Sequence, residues 1–390
     1  FVAKLNSSGV VQWVYTAGGT GADRGRKIAL DSSGNIYVAG YYENTVDFGG
    51  GNITSNGSWD AYLLKLNSSG TFQWVKSYGA SSNDLGRDVA IDSNDNIYLT
   101  GNFRGTVDFG GGDVSSNPSA NAYIFLVKFN SSGVFQWVYT AGGTGVDDVR
   151  SLALDSSDNP YITGSFQSTV NFGGGNTTAA NTNDLFILKL NSSGAYQSIY
   201  TSNIDTTQKA KGLFIDSSGN VYATGIFQNT VNFGGGNIIS SGQDIYLLKL
   251  NSSLAFQWVK RFAVDNGGLG TALGAAVTVD EDGNVYSVGQ ISGTYNLGGI
   301  NQVSGGNKDA FIVKHDASGT FQWSKTLGGG SAMDGYDKAQ DIVIDSNGFI
   351  ITVGQISGNT DFSTVGGDFI DFGNDAYNWV LKIKSTGVID

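Results

Sequence analysis

A tryptophan that follows glutamine returns at a nearly constant interval: Trp13, Trp74, Trp137, Trp258 and Trp323, with Ser198 in the same slot after Gln197. The spacings are 61, 63, 61, 60 and 65 residues. An acidic turn keeps the same time at Asp31, Asp92, Asp155, Asp216, Asp280 and Asp345, spaced by 61, 63, 61, 64 and 65. Two independent markers with one period make the 390 residues a tandem array, in place of two or three unrelated domains.

The second copy shows what is repeated. Asp60 to Leu66 and Phe72 to Tyr78 are short runs rich in β-branched and aromatic residues, joined by Asn67-Ser-Ser-Gly70. Arg87 to Asp92 and Ile97 to Phe103 form a second such pair around Ser93-Asn-Asp-Asn96. Asn, Asp, Ser and Gly supply the left-handed or side-chain-bonded conformations that tight reversals need, so each pair reads as a β-hairpin. Charged residues make up only 14% of the chain and Gly reaches 58 copies, which argues against long helices.

Four antiparallel strands per copy, six times over and without helical spacers, predict an all-β fold: a β-propeller of four-stranded blades around a central channel. The copies fall at about 1-59, 60-120, 121-183, 184-243, 244-308 and 309-374, with a surplus strand in 375-390, all within one domain. The tryptophan is expected between blades, where an aromatic buries about 150–250 Å², and Trp137→Ala is expected to cost about 3–5 kcal/mol.

The strings Phe1-Val-Ala-Lys-Leu-Asn-Ser-Ser-Gly9, Ala17-Gly-Gly-Thr-Gly-Ala-Asp23, Asp31-Ser-Ser-Gly-Asn-Ile-Tyr-Val-Ala-Gly40 and Thr45-Val-Asp-Phe-Gly-Gly50 resemble the seven-bladed β-propeller repeat, and the match recurs along essentially the whole chain. The resemblance implies a propeller in a secreted or cell-surface setting in bacteria or archaea, and implies no catalytic activity. Three departures stand out: Ser198 in the tryptophan slot, the degenerate copy at Thr360-Asp-Phe-Ser-Thr364, and a copy number short of seven whole blades.

The ends bear on closure. Six four-strand sets are followed by one more strand, Asp375 to Lys384, homologous to the first. In a six-bladed ring Phe1 to Leu5 and Tyr377 to Ile383 compete for one slot, and a seven-bladed ring lacks three strands. An unpaired edge is a template for another chain, so Phe1, Val2, Leu5, Tyr377, Trp379, Leu381 and Ile383 are candidates for assembly by strand exchange between subunits. The opening at Phe1, inside a strand-like motif, reads as a processed or incomplete copy of a longer precursor.

The net charge of -12 and pI near 4.4 argue against nucleic acid, whose binding draws on clustered cations, and the 22 basic residues read as scattered. There is no Cys, so no disulfide or thiolate metal site contributes. No apolar run is long enough for a transmembrane helix.

Several motifs invite a functional reading. Asp280, Asp282 and Asn284 place oxygens at alternate positions as in the start of a calcium loop, but the terminal Glu of the full loop is missing and turn geometry explains them without a metal. Asn6, Asn67, Asn130, Asn191, Asn251, Asn52, Asn56 and Asn176 fit the N-glycosylation acceptor pattern, and five of them are also the Asn of a hairpin turn. The glycine runs at Phe48-Gly-Gly-Gly51 and Phe109-Gly-Gly-Gly112 lack the Lys-Ser/Thr of a phosphate loop and read as bends. His315, the one histidine, replaces a hydrophobic residue and reads as a bystander. Asp147 with Asp148, or Asp280 with Asp282, would suit glycoside hydrolysis only at a defined separation. Lys4, Lys65, Lys128, Lys189, Lys249, Lys314 and Lys382 recur in register and are expected to pair with the repeated Asp residues.

No convergent polar cluster departs from the repeat, and the most divergent segments, 262 to 275 and 360 to 375, carry no His. The chain is therefore expected not to be an enzyme and to need no cofactor. It reads as an extracellular structural or adhesive protein, self-associating and in one form a filament subunit. The alternative is a module that binds glycans or peptides through Tyr41, Tyr42 and Trp59.

Overall fold

The structure is a computed structural model that describes residues 1–117, 122–180, 183–202, 208–265, 271–299, 301–304, 308–328, 337–356 and 377–387. The degenerate stretch Thr360 to Thr364 and residues 375, 376 and 388–390 of the last segment lie outside the described residues. Among the described residues every regular element is a strand. The chain divides into two compact units, Phe1–Thr201 and Ser202–Asp390.

The first unit opens with a hairpin, Val2–Leu5 against Val11–Tyr15, followed by three four-stranded antiparallel sheets. Sheet 1 comprises Arg24–Leu30, Ile36–Tyr42, Asp60–Leu66 and Phe72–Tyr78; sheet 2, Leu85–Ile91, Ile97–Phe103, Tyr123–Phe129 and Phe135–Ala141; sheet 3, Asp148–Leu154, Pro160–Phe166, Asp184–Leu190 and Tyr196–Thr201. In the second unit, sheet 4 holds Gln208–Ile215, Val221–Asn232, Asn237–Leu250 and Phe256–Asp265, extended by Thr294–Asn296 and Asn301–Val303. Sheet 5 holds Ala272–Val279, Val285–Ile291, Asp309–His315 and Phe321–Leu327. Among the described residues sheet 6 has three strands, Lys338–Ile344, Ile350–Ile356 and Tyr377–Ile383.

The pairing is offset from the sequence repeats: each four-stranded sheet takes two strands from the end of one copy and two from the start of the next. Tyr377–Ile383 is the third strand of sheet 6, in register with Ile350–Ile356 from Ile356↔Tyr377 to Ile350↔Ile383.

Strand alternation explains why the core lies between sheets. Tyr37, Ala39, Ala61 and Leu63 of sheet 1 face Val89, Leu99, Phe125 and Val127 of sheet 2, while Tyr98, Ile124 and Leu126 turn the other way onto Val149, Ile162 and Phe186 of sheet 3. The second unit repeats this, with Ile245 and Leu247 against Val277 and Phe311, and Val288 and Ile312 against Ile342 and Leu381. Sheet 2 in the first unit and sheet 5 in the second are thus buried on both faces by their neighbours in sequence, which is the blade packing of a β-propeller.

The repeated tryptophan sits where one blade meets the next turn. A Cβ built on Gly70, Gly133 or Gly194 would lie 2.7, 3.1 or 2.9 Å from the indole of Trp13, Trp74 or Trp137, and Gly319 and Gly387 stand likewise 3.2 and 3.1 Å from Trp258 and Trp323. The fourth copy has Ser198 in the tryptophan slot, and the following turn has Leu254, at φ 61°, in place of the glycine. Trp137 is only half-buried, with its Nε1 donating to Ser192 O at 3.3 Å, so the larger cost expected from sequence is reduced. Trp137→Ala is expected to destabilise by about 2–3 kcal/mol, in line with the smaller area lost, and urea unfolding checks this.

Candidate functional site

The acidic turn consumes its own ligands. Asp31 Oδ1 accepts from the amides of Ser33 (3.0 Å) and Asn35 (2.8 Å), and Oδ2 accepts from Asn35 Nδ2 (2.8 Å) and the Tyr37 hydroxyl (3.1 Å). Asp280 is held the same way, by Asn284 N and Nδ2 at 2.8 Å and Tyr286 Oη at 2.9 Å. Asp280 and Asn284 are therefore engaged with each other, and among the described residues no group of three or more His, Cys, Asp or Glu is placed to hold a metal ion. Successive turns are also tied together: Ser32 donates from N and Oγ to Asp95 (2.8 and 2.6 Å), and Ser93 to Asp158 (3.0 and 2.6 Å).

The repeated lysines fall beside these turns. Lys128 donates to the Tyr98 hydroxyl at 2.7 Å and pairs with Asp92 at 3.0 Å; Lys189 pairs with Asp155 at 3.4 Å and Lys382 with Asp345 at 3.8 Å. Lys65, Lys249 and Lys314 lie over the rings of Tyr37, Tyr222 and Tyr286 at 5.0, 5.0 and 5.1 Å. Burial works to raise the Asp92 carboxyl but is outweighed by hydrogen bonds from Asn96, Lys128 and Asn94, which hold it below its ordinary value.

The sequon asparagines Asn6, Asn67, Asn130, Asn191 and Asn251 each use Oδ1 to accept two backbone amides of their own turn, Asn67 from Ser69 (3.0 Å) and Thr71 (2.9 Å). Asp316 does the same for Ser318 and Thr320, so an acceptor at this position is what the turn requires. Asn52 and Asn176 sit in short outer strands, and Asn56 donates Nδ2 to Gly79 O at 3.1 Å. In the glycine run after Phe48, Asp47 Oδ1 accepts from Gly49 and Gly51, both at φ 103°, which makes the run a bend.

The most displaced acids are also repeated. Asp84 accepts the amides of Ala80 (2.7 Å) and Arg104 (2.8 Å), and Asp147 those of Gly143 (2.7 Å) and Gln167 (3.2 Å). Burial, opposed by these bonds, pushes the carboxyls up to about 7 and about 6. The same clamp on the same backbone positions in consecutive sheets is a device of the fold.

Tyr41 and Tyr42 are buried in the second strand of sheet 1, which is covered on both faces, so they do not form the exposed platform expected from sequence; Trp59 is half-buried, its ring 5.2 Å from that of Tyr41. Among the assembly candidates Val2, Trp379, Leu381 and Ile383 are buried, Leu5 is half-buried and Phe1 is exposed; Tyr377 opens the last strand. His315 lies in the hydrophobic slot filled elsewhere by Leu66, Phe129, Leu190 and Leu250, stacked on Phe262 at 5.5 Å.

The basic residues are less scattered than the sequence suggests. The first strand of every sheet has a one-residue bulge at the same place, and in sheets 1, 2 and 3 the bulged residue is Arg26, Arg87 or Arg150. Arg87 Nη2 meets Asp148 Oδ1 at 3.1 Å, and Arg150 pairs with the other oxygen of the same carboxylate. The recurrence of Gly25-Arg26 and Gly86-Arg87, each five residues before an acidic turn, is the sequence signal for this arrangement.

These features define a β-propeller repeat protein. The family model described as "Beta-propeller repeat" matches residues 12–41 and 73–102. Curated relatives include an uncharacterised WD repeat-containing protein of Acanthamoeba polyphaga mimivirus, 25% identical over 189 residues that cover 41% of this chain and 14% of that protein. Another is the regulatory protein FlaEY of Caulobacter vibrioides, 25% identical over 397 residues that cover 92% of this chain and 39% of that protein. The chain thus spans well under half the length of either. Similar solved structures include a luciferin-regenerating enzyme (TM-score 0.39, 9% identity, covering 94% of this chain and 92% of that one). A gluconolactonase from Xanthomonas campestris is similar at TM-score 0.37 and 12% identity, covering 87% of this chain and 96% of that one. The expectation that the chain is not an enzyme is corrected here: enzymes stand among the solved structures similar to it, and the lack of a site legible in sequence does not exclude catalysis. At these scores no activity is transferred to this chain.

Proposed function

We propose that the chain is an extracellular structural or adhesive propeller protein whose copies associate head to tail. One observation carries this reading: the hairpin Val2–Tyr15 packs on Val38, Tyr62 and Leu64 of sheet 1 but leaves the first strand of that face open, and one face of sheet 6 is open likewise. Ile28 and Leu30, on the first strand of sheet 1, are 48% and 60% exposed, whereas the residues equivalent to Ile28 in sheets 2 to 6 (Val89, Leu152, Leu213, Val277 and Ile342) are 3–7% exposed. On sheet 6, Val343 and Val353 are 51% and 37% exposed, and the residues equivalent to Val353 (Ala39, Thr100, Thr163, Thr224 and Val288) are 0% exposed.

The repeat itself says what covers such faces. The Val89 side of a blade receives the blade before it, and the Thr100 side receives the blade after it. The open first-strand part of sheet 1 therefore suits the open face of sheet 6 of another copy, and a contact between unlike faces builds a ring where the rotation closes and a filament where it does not. Among the described residues the hairpin strands pair only with each other and the last strand pairs only with Ile350–Ile356, and an edge without a partner is a template for strand pairing.

Light scattering across a concentration series, with negative-stain microscopy, tests this. Mass should grow in multiples of the chain, and Leu30→Glu, at an exposed position, should move the association midpoint up by about tenfold or more, because burying the charge costs at least the ~1.4 kcal/mol of one decade. A monomer at every concentration, or a Leu30→Glu variant that associates unchanged, would refute the proposal.

A further inference from the structure

The bulge arginines carry an inference independent of assembly. A bulge interrupts the ladder and re-aims one side chain, and such positions gather near functional sites. In the first unit the three bulge residues are Arg26, Arg87 and Arg150, at one register position on first strands that adjoin in the order sheet 1, sheet 2, sheet 3. Three guanidiniums in a row in a chain of net charge -12 call for anionic partners.

Between Arg87 and Arg150 the protein supplies one. Asp148 opens the first strand of sheet 3 and its carboxylate bridges both guanidiniums, while Arg87 Nε donates to Asn102 Oδ1 at 3.3 Å. Between Arg26 and Arg87 the equivalent position, the opening residue of the first strand of sheet 2, is Leu85. No carboxylate stands there. Arg26 is exposed, lies 5.4 Å above the ring of Tyr41, and makes no ion pair among the described residues; Arg24, also exposed, adds a further cation on the same strand. The field is felt at Arg87: burial above all, then Arg150 and Arg26, push its guanidinium down to about 10, with Asp148 acting against them.

We propose that the notch between Arg26 and Arg87 binds a ligand carboxylate in the place that Asp148 occupies between Arg87 and Arg150, and a uronic acid, free or within an acidic glycan, is the probe for it. Asp148 serves as the internal template: a planar carboxylate between two guanidinium forks makes short, charge-assisted hydrogen bonds whose geometry an ammonium does not reproduce. A neutral sugar of the same shape lacks the recognised group.

Calorimetric titration with galacturonate, trigalacturonate and galactose tests this on the intact chain. Saturable binding of the two acids and none of galactose is expected; a trimer that binds more tightly than the monomer identifies the glycan as the source, and equal affinity identifies the free acid. Arg26→Gln, at an exposed site, should weaken binding by about tenfold or more, since a charged hydrogen bond is lost. Leu85→Asp should abolish binding by supplying the carboxylate from within, while the far-UV spectrum and melting midpoint show the fold retained. Galactose binding equal to galacturonate, or acid binding unchanged in both variants, would overturn the proposal.

Discussion

Gly101→Ala is expected to destabilise the protein by about 3 kcal/mol or more, the upper end for overpacking, because the space a Cβ needs is already filled by backbone. Gly101 lies opposite the bulge of Leu85–Ile91, and its Cβ would overlap the Leu85 carbonyl oxygen and come within 2.7 Å of the Phe125 ring. A side chain can rotate away from such a clash, but a carbonyl in a ladder cannot move without breaking its pairing. Gly164 meets the Asp148 carbonyl and Gly289 the Leu273 carbonyl in the same way, so the constraint belongs to the bulge and not to one blade. Gly25 is the control: a Cβ there meets Tyr62 Oη and Val38 at 3.6 Å, an ordinary contact, and Gly25→Ala should stay within about 0.5 kcal/mol. Urea midpoints of the two variants decide it, and equal midpoints would contradict the close approach.

The second large effect is at His315, and it depends on pH. The imidazole is 1% exposed, neither nitrogen has a hydrogen-bond partner among the described residues, and it stacks on Phe262 and meets Phe321 edge-on. Burial first, and then Lys260, push it down to about 4 from 6.5, with Asp316 acting the other way. The folded state therefore favours the neutral ring. Its contribution is intact above pH 6.5 and is lost as pH falls toward 4, about 3 kcal/mol in all at ~1.4 kcal/mol per pKa unit. His315→Leu restores the residue type of the other blades. It should be more stable than the parent by about 1–3 kcal/mol at pH 7, the cost of a buried polar group without partners, and by about 3 kcal/mol more at pH 4. Asp84 and Asp147, raised to about 7 and about 6, work in the opposite sense, so the difference between variant and parent at each pH is the quantity to measure. A difference that does not grow on acidification would contradict the burial of a neutral imidazole.

The period, the hairpins and their turn residues were legible because each depends on local chemistry: an Asn or Asp that accepts its own amides two and four residues on, and alternation that sets two faces. What depends on strand register was not legible. Tyr41 and Tyr42 sit in a strand covered on both faces, and a run of apolar and aromatic residues does not say how much of it a neighbouring sheet will cover. The bulge that aligns Arg26, Arg87 and Arg150 is a one-residue slip between paired strands, visible only when both strands are in place. Trp137 was placed correctly between blades, but its half-burial follows from the turn glycine it covers and not from its size.

Contacts between blades hold the fold together, and a double-mutant cycle across one such contact measures that support. Tyr78 of sheet 1 and Phe129 of sheet 2 stack with ring centroids 5.9 Å apart and planes 18° from parallel. The single and double alanine variants, unfolded in urea, should give a coupling energy of about 1 kcal/mol, within the range found for side chains in contact. Strictly additive losses would mean that these two sheets do not support one another, and the propeller packing would fall with that result.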